Sequence, residues 1–227
     1  MEMKHLFVNG CSFNGSRKKF GRRVKTFAGR EVAKHYDAQL HNFARGGRGN
    51  RRICITTKFF FEANPERKQD TVALIQWSSA NRHDYPTNDG YKRIPGYTTT
   101  WRSWGTHEQL EFIHNNQGWD IDQDHSLMQL NDIIDLQNYF KMNGITYMMY
   151  FGLISQIDRT NPDHKLLYNM IDWHKFYRPD TSHYEFVKGK KLRISPWDEH
   201  PSAKGHIKWA HHLIKYMDDE IIRDTSN

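Results

Sequence analysis

The chain reads as an α/β protein, a three-layer α/β/α arrangement with a central parallel sheet, and three observations lead there. Thr71 to Trp77 is an almost continuous apolar run, the pattern of a strand covered on both faces. Short apolar segments alternate with stretches of helical periodicity along the chain. The 227 residues suffice for one sizeable core rather than two, so a single domain is expected over residues 1–227, with an aromatic-rich insertion at about 83–123.

Lys4 to Val8 reads as a short buried strand that ends at the turn Asn9-Gly10. From Phe20 onward, Val24, Phe27, Ala28, Val32 and Tyr36 recur at helical spacing and predict a first amphipathic helix. Gln39 to Phe43 is a second strand, followed by a loop containing Gly46, Gly47 and Gly49, and Arg51 to Ala63 is a second helix that stops before Pro65. Thr71 to Trp77 is the third strand. Between His83 and Gln123 no period is evident, and Tyr91, Tyr97, Trp101, Trp104 and Trp119 mark either a binding loop or an insertion packing its own aromatics. Leu127, Leu130, Ile133, Ile134, Leu136 and Phe140 line a third helix, closed by Gly144 ahead of the strand Ile145 to Phe151. Residues 158–189 read as loop with a short helix near Leu166 to Phe176, and Ile207, Ala210, Ile214, Met217 and Ile221 define a final helix. In such a sheet the functional crevice lies at the carboxyl ends of the strands.

A hydrophobic fraction of 37% with 14% aromatics is enough apolar surface to drive folding, which excludes a disordered chain. No apolar run approaches a membrane span and no signal peptide opens the sequence, so a cytoplasmic protein is expected, or one of the host cytoplasm or virion if phage-encoded. Cys11 and Cys54 lie among apolar residues, and no structural disulfide is expected. The net charge of +7 gathers at Arg17, Lys18, Lys19, Arg22, Arg23 and Lys25, then Arg45, Arg48, Arg51 and Arg52. These read as the solvated face of two helices, and no nucleic-acid motif accompanies them.

Three separated segments carry chemistry, and each ends at the predicted crevice. Asn9-Gly10-Cys11-Ser12-Phe13 puts a serine on the loop leaving the first strand, where it needs a base to become a nucleophile. Asn42 to Asn50 follows the second strand, and its glycines let a backbone N–H approach a substrate oxygen as an oxyanion hole requires. The loop lacks the ordered glycines and the Lys-Ser/Thr ending of a nucleotide-binding loop. Trp197-Asp198-Glu199-His200-Pro201-Ser202 places a histidine in a loop before the last helix, with Asp198 at hand to fix its tautomer. His200, His206, His211 and His212 lack suitably spaced carboxylates or cysteines, so no metal and no cofactor is expected.

Together these segments resemble the SGNH/GDSL hydrolases, whose flavodoxin-like fold carries a serine block near the N-terminus and an Asp/His block near the C-terminus. The resemblance spans most of the chain. It implies attack on an acyl ester by Ser12 with His200 as base, and an oxyanion hole from the N–H groups of Ser12 and Gly47 and the side chain of Asn81. Two departures stand out. The third block of the family is usually Gly-x-Asn-Asp, whereas this chain has Trp77-Ser78-Ser79-Ala80-Asn81-Arg82, which puts Asn81 one position late and leaves Ser78, Ser79 or backbone groups alone as alternatives. The family acid stands three residues before the histidine, but Asp198 stands two before His200, so the site is either a triad or a Ser/His dyad. Gly10-Cys11-Ser12-Phe13 with Trp77-Ser78-Ser79 and Arg82 also resembles SGNH-like proteins carried by bacteriophages.

The resemblance implies an esterase or carbohydrate O-deacetylase, with an acyl ester, such as an acylated glycan, as substrate. Asn50, Ser78, Ser79, Arg82, Trp101 and Trp104 are the candidate substrate-binding residues, and neither a membrane nor a nucleic-acid partner is expected. The alternative is a non-catalytic binding or virion structural protein on the same fold.

Overall fold

The computed structural model describes residues 3–15, 17–19, 22–24, 26–80, 82–87, 100–104, 125–154 and 157–222. Four parallel strands, β1 (His5–Asn9), β4 (Gln39–Asn42), β5 (Thr71–Trp77) and β8 (Thr146–Phe151), form the central sheet in the order β4-β1-β5-β8. A single parallel bridge between Met149 and Phe176 continues the sheet beyond β8. Alternation along these strands sorts their side chains into two cores. Leu6, Val8, Val72, Leu74, Met148 and Tyr150 face one way, against α1 (Ala28–His35) and the last helix, α6 (Ala203–Tyr216). Phe7, Ala73, Ile75, Trp77, Tyr147, Met149 and Phe151 face the other, against α2 (Asn50–Ala63) and α3 (His125–Met142). That is the predicted three-layer α/β/α architecture, and no helix among the described residues is long and apolar enough to cross a membrane.

The strongly patterned elements lie where the sequence predicts them, and the differences fall outside the sheet. Arg17–Lys19 (β2) and Arg22–Val24 (β3) pair as an antiparallel hairpin, so the first helix begins at Ala28 and not near Phe20, which lies outside the described residues. Val24 thus belongs to a strand, and its spacing to Phe27 carries no helical meaning. Arg48 is buried and not part of a solvated face. The insertion contains a second hairpin, β6 (His83–Thr87) with β7 (Thr100–Trp104), and the rest of it lies outside the described residues. Residues 158–189 hold two short α-helices, α4 (Pro162–Tyr168) and α5 (His183–Gly189), and a 3-10 turn at Trp173–Lys175, so the helix expected near Leu166 to Phe176 starts earlier and is not continuous. Ser182 and Glu185 form a reciprocal capping box that starts α5, a Ser-x-x-Glu signal present in the sequence. His200 sits on a strand, β10 (Asp198–Pro201), paired antiparallel with β9 (Arg193–Ser195), where a loop was expected.

Candidate active site

β1 delivers Ser12 to the carboxyl edge of the sheet through a turn that only glycine makes. Gly10 has φ +153°, and a Cβ there would lie 2.7 Å from the Cβ of Gln76 on β5. The next residue, Cys11, turns into the core with its thiol 3.4 Å from the Gln76 Oε1, so Ser12 opens a short 3-10 turn (Ser12–Asn14) on the other side. Asn9 fixes the base of this turn. Its Oδ1 accepts the Gly10 N–H at 2.8 Å, and its Nδ2 donates to the Ile53 carbonyl and to the hydroxyls of Thr56 and Thr57 at 3.1, 2.9 and 2.9 Å.

His200 comes from the far end of the chain. Its Nε2 lies 2.9 Å from the Ser12 Oγ across 188 residues of sequence, and its Nδ1 lies 2.7 Å from the Asp198 Oδ1. A carboxylate only accepts, so Nδ1 carries the proton and Nε2 is left to accept from the serine hydroxyl. The same Oδ1 also takes the His200 backbone N–H at 3.2 Å, and the Asp198 N–H is held by the Ser195 Oγ at 3.0 Å. Asp198 is buried, whereas the His200 side chain keeps 21% of its surface open to solvent, enough for a small reactant to reach it. The Phe13 ring packs on the imidazole at 4.9 Å between centroids, and Phe13 in turn abuts His183 and Tyr184.

The glycine loop after β4 borders the serine. A Cβ on Gly46 would stand 3.7 Å from the Ser12 Cβ, and the Arg45 N–H donates to the Gly10 carbonyl at 3.0 Å, tying the two turns together. Gly47 follows at φ +77°, a left-handed conformation that suits glycine. Asn50 is buried, and its amide spans to the loop after β5: Oδ1 accepts the Ser78 N–H at 2.8 Å and Nδ2 donates to the Ser79 carbonyl at 3.2 Å. Ser78 is itself buried, with its carbonyl taken by Gln129 at 2.7 Å and its hydroxyl 3.4 Å from the Arg82 guanidinium. Asn50 and Ser78 thus brace this loop, while Ser79 is partly exposed. Asn81 lies outside the described residues, and Trp101 and Trp104 stand on β7 opposite Pro86 and His83.

Behind the histidine, the α5 residue His183 lies flat on Trp209 of α6, with ring centroids 4.8 Å apart and planes 7° from parallel, and touches His206. Burial holds His183 well below the ordinary histidine value; burial and then the neighbouring His200 bring His206 down to about 3. Both are neutral core side chains. Among the described residues no three His, Cys, Asp or Glu side chains gather to hold a metal, and Cys11 and Cys54 are free and buried. A cavity of about 190 Å³ opens at the carboxyl end of β8, lined by Phe151, Ile154, Tyr168, Ser182 and Glu185 among others.

No protein-family model matches the sequence, and no curated protein matches it. Solved structures do. The psychrotrophic esterase EstA from Pseudoalteromonas sp., in a structure inhibited by monoethylphosphonate, aligns over 99% of this chain and 100% of its own at a TM-score of 0.52 and 10% identity. Est2A, an acetyl xylan esterase from the rumen bacterium Butyrivibrio proteoclasticus, aligns over 96% of this chain and 64% of its own at a TM-score of 0.52 and 12% identity. A catalytic mutant of Axe2, an acetylxylan esterase from Geobacillus stearothermophilus, aligns over 96% of each chain at a TM-score of 0.50 and 12% identity. The chain has the SGNH hydrolase fold.

Within the SGNH fold the unusual acid spacing has a simple geometric account. Asp198 and His200 are two apart on β10, whose register against β9 shifts between Asp198 and Pro201, and the one Asp198 Oδ1 takes both the backbone N–H and the ring Nδ1 of His200. The sequence shows the pair but carries no signal of the ribbon that holds it, nor of Arg48 and Phe13 as site residues. Asn9 is the exception, because a polar residue closing an apolar strand is a sign of a buried hydrogen-bonding role.

Proposed function

We propose that this chain is a serine esterase in which Ser12 attacks an acyl ester, His200 accepts the serine proton and returns it to the leaving alcohol, and Asp198 stabilises the imidazolium between the two transfers. The observation that carries the reading is the continuous line from Ser12 Oγ to His200 Nε2 and from Nδ1 to Asp198 Oδ1, at 2.9 and 2.7 Å. A merely structural histidine has no reason to have a serine hydroxyl on one nitrogen and a buried carboxylate on the other. The proposed oxyanion hole uses the N–H groups of Ser12 and Gly47, with Asn81, Ser78 or Ser79 as the third donor. The buried, braced position of Ser78 favours Asn81 or Ser79 for that role.

The substrate we propose is an O-acylated carbohydrate, a class supported by two acetylxylan esterases among the structures of this fold. The test is covalent. An alkyl fluorophosphonate should label the wild-type protein at Ser12 and leave Ser12→Ala unlabelled, and the wild type should hydrolyse a short acyl ester that Ser12→Ala does not. A wild-type protein that neither takes the label nor cleaves acetyl esters would return the chain to the non-catalytic reading.

A further inference from the structure

We infer that Arg48 is a positioning residue for the oxyanion side of the site, holding the Gly46–Gly47 turn against the strand that carries Ser12. The inference rests on the esterase reading above. Arg48 follows Gly47 directly, and it is 7% exposed, an uncommon place for a guanidinium. Its Nη1 lies 3.0 Å from the Asn9 Oδ1, 2.6 Å from the Phe43 carbonyl and 3.2 Å from the Thr56 Oγ1. Those acceptors belong to the end of β1, the exit of β4 and the second turn of α2.

The consequence follows from how the two turns meet. Asn9 stands three residues before Ser12, and the same Oδ1 that receives the guanidinium also receives the N–H of Gly10. One end of the Arg48 side chain is therefore fixed to the base of the serine turn, while its backbone continues the turn in which Gly46 lies beside Ser12. Glycine supplies no side chain to hold such a turn in place, so the neighbouring arginine does. Burying a guanidinium costs desolvation that an apolar side chain of equal volume avoids, which makes Arg48 a poor choice if filling space were its only task. One terminal nitrogen of the guanidinium, Nη1, reaches acceptors on three elements at once, and the planar group fixes where that nitrogen lies more firmly than a flexible lysine stem would.

The experiment compares Arg48→Met, Arg48→Lys and Arg48→Ala with the wild type on a short acetyl ester. Arg48→Met should lower kcat by roughly tenfold or more with KM changed less than about threefold, since a displaced oxyanion donor acts on the transition state and not on ground-state binding. The pH dependence of the rate should keep its shape, because the contacts that place Arg48 are with Asn9, Phe43 and Thr56. Arg48→Lys should fall between the two. Millimolar guanidinium should restore part of the kcat of Arg48→Ala, and the same concentration of sodium should not. A kcat for Arg48→Met equal to wild type overturns the inference, as does a loss that appears only above the melting transition of the variant or that guanidinium leaves untouched. If the wild-type protein takes no phosphonate label at Ser12, the esterase reading falls and this inference with it. A labelled, active wild type beside an unimpaired Arg48→Met removes this inference alone.

Discussion

Ser12 leaves the central sheet at the end of β1, where Asn9, Arg48, Thr56 and Thr57 form a buried polar knot, whereas His200 stands on a two-stranded ribbon outside that sheet and is held by rings. Phe13 covers the imidazole, His183 backs Phe13, and Trp209 backs His183. The serine half is fixed by directional bonds to core elements. The base half is packed against rings, with the Asp198 carboxylate and the β9–β10 pairing supplying direction. Packing tolerates a change of backbone path as long as volume is kept, and hydrogen-bond geometry does not. The two halves should therefore respond differently to substitution.

Under the proposed esterase reading, removing Ser12 or His200 gives the largest effects and treats both halves alike. Ser12→Ala and His200→Ala should each lower kcat by roughly ten-thousandfold or more, and the double variant should be little worse than either, since the two act as a unit. Asp198→Asn should cost roughly a thousandfold by upsetting the imidazole tautomer, measured on the same acetyl ester. Should Asp198→Asn leave kcat within a few-fold of wild type, the site is a Ser/His dyad.

The two halves should separate clearly in stability. Asn9→Ala removes the acceptor for Gly10 and Arg48 and the donor to Ile53, Thr56 and Thr57, and should destabilise the fold by about 2 to 4 kcal/mol in urea unfolding. Glu199→Ala on the ribbon removes bonds to Tyr184 at 2.9 Å and Arg193 at 3.4 Å from a half-exposed carboxylate, and should cost under about 1 kcal/mol. Equal losses in the two variants would erase the distinction between a bonded half and a packed half.

How far the sequence could be read follows the same line. β1, β5 and β8 are legible because each has an uninterrupted apolar run at its centre and both sheet faces are covered, and α2 and α6 because their apolar positions recur at three and four. Ser12, Gly47, Asp198 and His200 are legible as types at the ends of such elements. The hairpin Arg17–Lys19 with Arg22–Val24 is not, because it carries almost no apolar residue to set a period of two. The β9–β10 ribbon is equally hidden: strands of three and four residues are too short to show alternation, and their pairing is a tertiary fact. The role of Arg48 was obscured by its charge, which in a local reading points to solvent.

Acid should attack the packed half first. His183 and His206 are both held below the ordinary histidine value by burial, so the unfolded chain binds protons that the folded chain refuses. Stability is unaffected above the unfolded value of about 6.5 and falls as the pH drops below it, continuing for His206 toward its folded value of about 3. Each group contributes a slope of up to about 1.4 kcal/mol per pH unit in that window. Replacing His206 by Leu should flatten the decline of melting temperature between pH 6 and 4, expressed here as roughly one proton fewer taken up on unfolding. An unchanged slope in that variant would place the acid sensitivity elsewhere.

The smallest expected effect comes from Gly46, and it sharpens the comparison within the serine half itself. Gly10 and Gly47 have positive φ, but Gly46 is not among the glycines that do, and among the described residues a Cβ there meets only the Ser12 Cβ at 3.7 Å, an ordinary van der Waals distance. Gly46→Ala should therefore fold without strain and gain about 0.4 to 1 kcal/mol from the reduced freedom of the unfolded chain. The added methyl group sits beside Ser12, the proposed nucleophile, so activity should fall by less than about tenfold, and more for a bulky acyl group than for acetyl, because only the larger group competes for that space. Gly10→Ala, by contrast, drives a Cβ to within 2.7 Å of Gln76 and should unfold or abolish the site. A Gly46→Ala protein that melts below wild type would mean that this turn, like the one at Gly10, is fixed by its backbone and not by the arginine that follows it.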